Sequence, residues 1–371
     1  MKKKITKYLL LALACLGLQS CLFQEENYFD DSSANRATAD VNRCGELLKA
    51  APNGWVMEYY VGKDYSLGGI TLLCRFDGQR VTMASQMAEA DETVSSLYSV
   101  KSEQATMLSF DTYNYLVHYF GQPQGSMSDD PNGTLGGDYE FIISSASAER
   151  IELKGKKYGN RIVMKALTED QTWKQYLTKI KKVEDDAFFY EYDLLMDGLY
   201  TGQMIRSNYT FIVTYYDEIG KVHQKTVPFM FTADGLRFHE PVTIDGQTMQ
   251  NFVWKNELIS FVCTDEGATG VKLAGVYTAG YQSYDYYPGT YQMDFYRLND
   301  ETGQLEVASQ EVRLLKNEDG KSYWLKGLEY DILVMYDKPR GGLSVSPQLL
   351  EKVQGGYVYL AMWDVMNDYV L

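Results

Sequence analysis

Leu73-Cys74-Arg75-Phe76-Asp77-Gly78-Gln79-Arg80-Val81 sets an Asp-Gly step between two apolar runs. Asp-Gly suits the tight turn of a β-hairpin, because both residues tolerate a positive φ at little cost. Around the step, Ile70 to Phe76 and Arg80 to Met83 read as paired antiparallel strands. The same signal recurs along the chain, with five Asp-Gly and two Asn-Gly steps. The fold class that follows is mainly β: antiparallel sheets with a few helices.

Working outward, Trp55-Val56-Met57-Glu58-Tyr59-Tyr60 opens a strand run that continues to Leu167. Residues 95–110 predict a second hairpin. Tyr139 to Ser144, Arg150 to Leu153 and Arg161 to Leu167 are expected to add edge strands. Further on, strands resume at Leu199. Tyr209 to Tyr216 and Val222 to Phe231 pair around Asp217-Glu218-Ile219-Gly220. The Asp234-Gly235 turn should set Leu236 opposite Phe231 and Phe238 opposite Phe229. Residues 264–276 weaken the pattern and read as a boundary. Thr290 to Leu298, Leu305 to Leu315, Lys321 to Leu328, Ile332 to Tyr336 and Tyr357 to Trp363 predict one more antiparallel sheet. Three aromatic strand–Gly turn–strand segments, at 73–81, 229–238 and 334–345, are alike, which duplication and plain hairpin physics explain equally.

The period is 3.6 in two places only. Over 30–51, Ala34, Ala37, Val41, Cys44 and Leu48 make one stripe, with Asp31, Ser32 or Ser33 as cap and Ala51-Pro52-Asn53-Gly54 as stop. Over 169–183, Trp173, Tyr176, Leu177, Ile180 and Val183 share a face, and Thr168 with Gln171 is the expected capping box. This second helix reads as a connector lying across a sheet. The expected division is 1–20 signal peptide, 21–29 tether, 30–167 helix plus β unit, 168–266 connecting helix plus second β unit, and 267–371 C-terminal β unit.

At the start, Lys2, Lys3, Lys4 and Lys7 precede an apolar run of eleven residues from Tyr8 to Leu18. As helix that run spans roughly 16 Å, short of the ~30 Å of a bilayer core, so it reads as a secretory signal and not as a span. Leu18-Gln19-Ser20-Cys21 then resembles a bacterial lipobox, which implies lipidation of Cys21 and a permanent membrane anchor. An ordinary signal with an incidental cysteine is the alternative, though no A-x-A site is present. Glu25-Glu26 behind the cysteine resembles the export signal of Bacteroidota surface lipoproteins. The expected location is therefore the outer membrane, lipid-anchored and surface-exposed, with the periplasmic face as the alternative.

Removing residues 1–20, which hold four lysines and no acid, takes the net charge from −15 to −19. A chain so acidic repels phosphate backbones, so nucleic acid is excluded as a partner. Once Cys15 is removed and Cys21 lipidated, Cys44, Cys74 and Cys263 remain, enough for at most one disulfide and without a CxxC for zinc. Cys74 and Cys263 lie in apolar runs and read as buried free thiols. The 31 tyrosines, against 15 phenylalanines and 5 tryptophans, suit both half-buried sheets and ligand-facing surfaces.

Ala51-Pro52-Asn53-Gly54-Trp55 with Tyr59, Leu153-Lys154-Gly155-Lys156-Lys157 with Gly159-Asn160, and Phe231 through Gly235-Leu236-Arg237-Phe238 carry a family likeness. Over roughly residues 21–265 the chain resembles the Bacteroidota lipoproteins grouped as domain-of-unknown-function family 4302. The resemblance implies an anchored β-rich lipoprotein, encoded near nutrient-capture or surface-assembly genes, with no catalytic residue to carry over. The strand–turn–strand order is lipocalin-like, so lipocalin-like or sandwich-like units in tandem are expected, with one N-terminal and one connecting helix. Fold analogy of this kind says nothing about ligand.

Chemistry is sparse. His118, His223 and His239 share no i,i+4 pair and no HExxH, and read as structural. Gly342-Leu343-Ser344-Val345-Ser346 lacks the second glycine of a nucleophile elbow. Glu191, Asp193 and Asp197 cluster after the second helix. Asp129, Asp130, Asn132 and Asp138 sit in a polar loop over 121–138 that fits calcium or a plain solvated turn, without EF-hand spacing. No cofactor is expected. The binding candidate is the run from Tyr277 to Tyr296, chiefly Tyr281, Tyr284, Tyr286, Tyr287 and Tyr291, whose flat rings can stack on sugars or peptide prolines; packing of the same rings on the core is the alternative. The leading expectation is non-enzymatic capture of a glycan or peptide for an outer-membrane uptake complex. A structural or adhesive role in a surface assembly comes second, and a hydrolase using paired carboxylates third.

Overall fold

The fold is described from a computed structural model over residues 32–124, 133–217, 219–299, 301–361, 363–364 and 369–370. Helix α1 (Ser33–Ala50) begins where the Ser32 hydroxyl accepts from the Asn35 N–H at 3.2 Å. Of its expected stripe, Cys44 and Leu48 are buried while Ala34 is exposed. The stop at Asn53-Gly54 has a steric reason: Gly54 has φ +77, and a Cβ there would lie 2.5 Å from the Cys74 carbonyl oxygen.

Eight strands follow: β1 (Trp55–Val61), β2 (Gly68–Phe76), β3 (Arg80–Ser85), β4 (Val94–Ser102), β5 (Thr106–Phe110), β6 (Glu140–Ala146), β7 (Arg150–Gly155) and β8 (Arg161–Ala166). A four-residue helix, α2 (Tyr115–His118), lies between β5 and β6. Each strand pairs with the next, and β8 returns to β1 with Met57 opposite Met164, closing a barrel. The strands expected to be edges therefore have none; closure pairs every backbone row. Trp55, Met57, Tyr59, Leu72, Phe110 and Phe141 fill the interior. An eight-stranded barrel is just wide enough for side chains to fill, and these side chains occupy this one.

Helix α3 (Trp173–Asp186) starts one turn later than expected. Its capping box is Thr172 with Gln175, not Thr168 with Gln171. The reason is Asn53, whose side-chain amide donates to the Thr168 and Gln171 carbonyls at 2.7 and 2.8 Å and holds that stretch as loop. Leu177, Ile180 and Val183 are buried, as the stripe predicts.

A second closed barrel is built from β9 (Glu191–Met196), β10 (Leu199–Ser207), β11 (Thr210–Tyr216), β12 (Val222–Phe231), β13 (Gly235–Ile244), β14 (Gln247–Lys255), β15 (Ser260–Cys263) and β16 (Val271–Val276). Strands begin at Glu191 and not at Leu199; Tyr192, Leu194 and Met196 alternate inward, a period-two signal the neighbouring carboxylates obscure. The expected register around Asp234-Gly235 is present, with Phe229 opposite Phe238 and Phe231 opposite Leu236. Because β16 closes the barrel against β9, the boundary expected at residues 266–267 falls inside this unit.

The barrels touch through their outer faces. All seven residues of β1 are buried, the odd ones inside their own barrel and Val56, Glu58 and Tyr60 outside it. Gly68 (φ +72) lets β2 approach Tyr209, whose carbonyl oxygen would lie 2.0 Å from an added Cβ.

Beyond Val276, β17 (Gly289–Leu298), β18 (Leu305–Lys316), β19 (Ser322–Lys326), β20 (Ile332–Asp337) and β21 (Gly342–Ser344) form a five-stranded antiparallel meander. Tyr357 to Leu360, expected in this sheet, instead pairs within a separate ribbon of β22 (Gln348–Val353) and β23 (Gly356–Leu360). The C-terminal unit is tied to the end of α3 and the segment after it, where Tyr281 stacks on Phe188 at 6.0 Å and Lys338 Nζ meets an Asp185 carboxyl oxygen at 2.8 Å.

Candidate functional site

Antiparallel pairing sets opposed residues on one face. In the C-terminal sheet that rule groups Tyr291 with Val312, Leu314 with Leu325, Tyr323 with Val334 and Tyr336 with Leu343. One face of the sheet is thus apolar, and the loop from Tyr277 to Pro288 covers only part of it. Tyr284 stacks on Tyr323 with centroids 4.7 Å apart and donates its hydroxyl to the Ser322 carbonyl at 2.8 Å. Tyr323 in turn donates to the Tyr284 carbonyl at 2.7 Å. Burial pushes the Tyr323 and Tyr336 hydroxyls well above the ordinary phenol range, so both stay protonated and donate.

Where the cover ends, a groove of about 750 Å³ remains, lined by Tyr286, Tyr287, Tyr291, Val312, Leu314 and Leu343 among others. Tyr286 is 62% exposed and Tyr291 45%. Two of the rings are held from behind: Tyr287 donates to the Gly341 carbonyl at 2.7 Å, and Tyr291 to the Tyr287 carbonyl at 2.5 Å. Fixed flat rings lose little conformational freedom when a ligand packs on them. Tyr291, Gln292 and Met293 lie on β17, which is the outermost strand of the sheet. Among the described residues β17 pairs with β18 alone, so its ten-residue outer edge is open.

The tyrosines singled out in the sequence therefore divide. Tyr286, Tyr287 and Tyr291 come together at the groove. Tyr284 belongs to the small core beneath it, and Tyr281 packs at the joint with Phe188 and Tyr277. Sequence reasoning misses Leu343 and Val345, which complete the groove from β21 and the residue after it; their alternation with Ser344 was the available signal.

Cys21 and three of the loop residues (Asp129, Asp130 and Asn132) lie outside the described residues. Asp138 is buried, and its carboxyl oxygens accept from the Lys157 and Tyr158 N–H groups at 2.7 and 3.1 Å. It clamps the turn between β7 and β8, and burial raises its pKa despite those bonds. Cys44, Cys74 and Cys263 are free thiols, all buried. His118 stacks on Tyr139 at 4.6 Å, His223 sits 2.9 Å from an Asp217 carboxyl oxygen, and His239 lies between the Tyr60 and Tyr65 rings. Glu191 and Asp193 are two apart on the outward side of β9, on one face and not across a cleft. Ser344 lies on β21, in a strand and not at a strand-to-helix elbow.

No curated protein and no solved structure matches this chain. Two family models do. Residues 264–371 match a second Domain of unknown function (DUF4987), which takes in the sheet and its groove. Residues 25–256 match Domain of unknown function (DUF4302), more than half of the chain, and the protein belongs to that family.

Proposed function

We propose that the chain is a lipid-anchored protein of the bacterial outer membrane, exposed at the cell surface through acylated Cys21, whose C-terminal unit captures extended peptides for an uptake system. The lipobox-like Leu18-Gln19-Ser20-Cys21 and the acidic pair behind it support the location. The apolar groove beside the open edge of β17 carries the binding reading. A peptide added to that edge gains backbone hydrogen bonds, and every second side chain falls on the groove face with Tyr291 and Met293. A glycan would stack on the same rings but meet few polar partners, Gln292 and Ser344 chiefly, for its many hydroxyls. Peptide is therefore the occupant the lining favours.

The test sets the purified chain against arrays of random-sequence peptides and of glycans. Binding of apolar peptides, weakened severalfold in Tyr286→Ala and in Tyr291→Ala, is the expected result; glycan binding alone would overturn the choice of ligand. Acylation is tested separately, by mass spectrometry of the Cys21 peptide and by protease treatment of intact cells.

A second reading, a structural or adhesive part of a surface assembly, has its own observation. Over 305–312, β18 pairs only with β17 among the described residues, and Leu305 and Val307 there are 70% and 66% exposed. Loss of a cell-surface complex in Leu305→Lys, with peptide binding intact, would favour it.

A further inference from the structure

A second pocket, of about 200 Å³, lies where the two barrels meet and shares no residue with the groove. Its floor is the outer face of β1 and β8, and its far wall is β13 with Gln250 of β14. Four cations line it: Arg150, Arg161, Lys165 and Arg237, against the carboxylates of Glu58 and Glu240. In a chain of net charge −15 this is a local excess of positive charge. Each cation is already near an acid. Lys165 meets Glu58 at 2.7 Å, Arg237 meets the other Glu58 oxygen, and Arg150 and Arg161 share Glu152 at 3.0 and 3.1 Å. Those bonds leave donors over, since a guanidinium has five and an ammonium three.

One of the donors left over, on Arg237, is buried, and so is a neighbouring hydroxyl, on Tyr60. The Tyr60 and Arg237 side chains lie close enough to interact with each other, yet neither the Tyr60 hydroxyl nor Arg237 Nε makes a well-formed hydrogen bond, and both residues line the pocket. Tyr60 is 3% exposed. A buried donor without a well-formed partner has given up its hydrogen bond to water, so two such donors on residues lining one small polar space call for an acceptor. The surroundings hold that space open. The His239 ring is clasped between Tyr60 and Tyr65, with centroids 4.3 and 4.0 Å away. Tyr65 reaches it from a left-handed backbone (φ 59) that follows another at Asp64 (φ 53).

We propose that this cleft binds a small oxyanion, a carboxylate, sulfate or phosphate group, with the Tyr60 hydroxyl and Arg237 Nε donating to its oxygens and Arg161 and Lys165 supplying charge. The site is independent of the peptide groove and stands or falls without it.

The test follows thermal unfolding of the purified chain against sodium sulfate, sodium phosphate and sodium glucuronate, with sodium chloride holding ionic strength constant. At least one anion should raise Tm saturably. Tyr60→Phe keeps the ring on His239 and removes only the hydroxyl, so it should unfold no lower without anion yet bind about fivefold more weakly. Arg161→Gln, whose side chain is 63% exposed, should weaken binding without unfolding the barrel. Preference for glucuronate identifies an acidic sugar as the source of the group; preference for phosphate or sulfate identifies a free ion or an ester. A response that does not saturate with any of the three, or one unchanged in both variants, overturns the proposal.

Discussion

Glu58 of the first barrel and Arg237 of the second form an ion pair across the barrel–barrel contact, 179 residues apart in the chain. Glu58 also holds Lys165 of its own barrel at 2.7 Å, and its side chain is only 10% exposed. A buried pair adds little over an apolar one, but removing one partner strands the other charge. Arg237→Met should therefore destabilise the chain by about 2–4 kcal/mol in urea unfolding. Glu58→Gln combined with Arg237→Met should recover part of that loss. If the single variant costs nothing, the pair does not hold the barrels together.

The His239 imidazole, half-buried in the same contact, carries a pKa below its ordinary value, first through burial and then through Arg237 and Arg161, with Glu240 and Glu58 opposing. Burial lowers His118 likewise. For such groups the unfolded chain takes up protons at a higher pH than the folded one. The imidazole contribution to stability should be level above about pH 7.5 and fall as pH drops through the ordinary imidazole range near 6.5. His239→Gln should flatten that part of the curve, measured as Tm against pH. An unchanged slope would assign the loss to other groups.

What was legible in the sequence was local. All five Asp-Gly steps sit in hairpin turns, and at Asp197-Gly198 and Asp245-Gly246 both residues take the positive φ that suits them. The pairing of Phe229 with Phe238 follows from one such turn and strand alternation. Closure was not legible, because Met57 finds Met164 only after six intervening strands have coiled round. Nor does any local pattern distinguish Tyr284, stacked inward on Tyr323, from Tyr286, exposed two residues later; the turn of the covering loop decides it. The capping box was misplaced for a similar reason, since Asn53 acts on Thr168 from 115 residues away.

Close approach of the barrels depends on Gly68. With φ +72 and the Tyr209 carbonyl where a Cβ would stand, no side chain fits without moving β2 from its neighbour. Gly68→Ala should cost at least about 2 kcal/mol, through backbone strain and lost packing together. Native-state hydrogen exchange should show the loss concentrated at β2 and β12. An effect below about 0.5 kcal/mol, the range of an ordinary surface change, would mean that the contact yields easily.

The groove offers a sharper separation of binding from folding. Tyr286 is mostly exposed and its ring touches Tyr287 edge-on at 5.3 Å, so Tyr286→Ala removes groove-lining surface and little else. Tyr323 is fully buried beneath Tyr284, and Tyr323→Ala should cost about 3–5 kcal/mol as a large core truncation. Tyr287→Phe lies between: it keeps the ring but frees the Gly341 carbonyl, at about 1 kcal/mol. Peptide affinity should drop severalfold in Tyr286→Ala with the unfolding curve unmoved, whereas in Tyr323→Ala both should fail. If Tyr286→Ala changes neither, the rings lining the groove only cover the sheet beneath them, and the open edge of β17 alone must account for any partner.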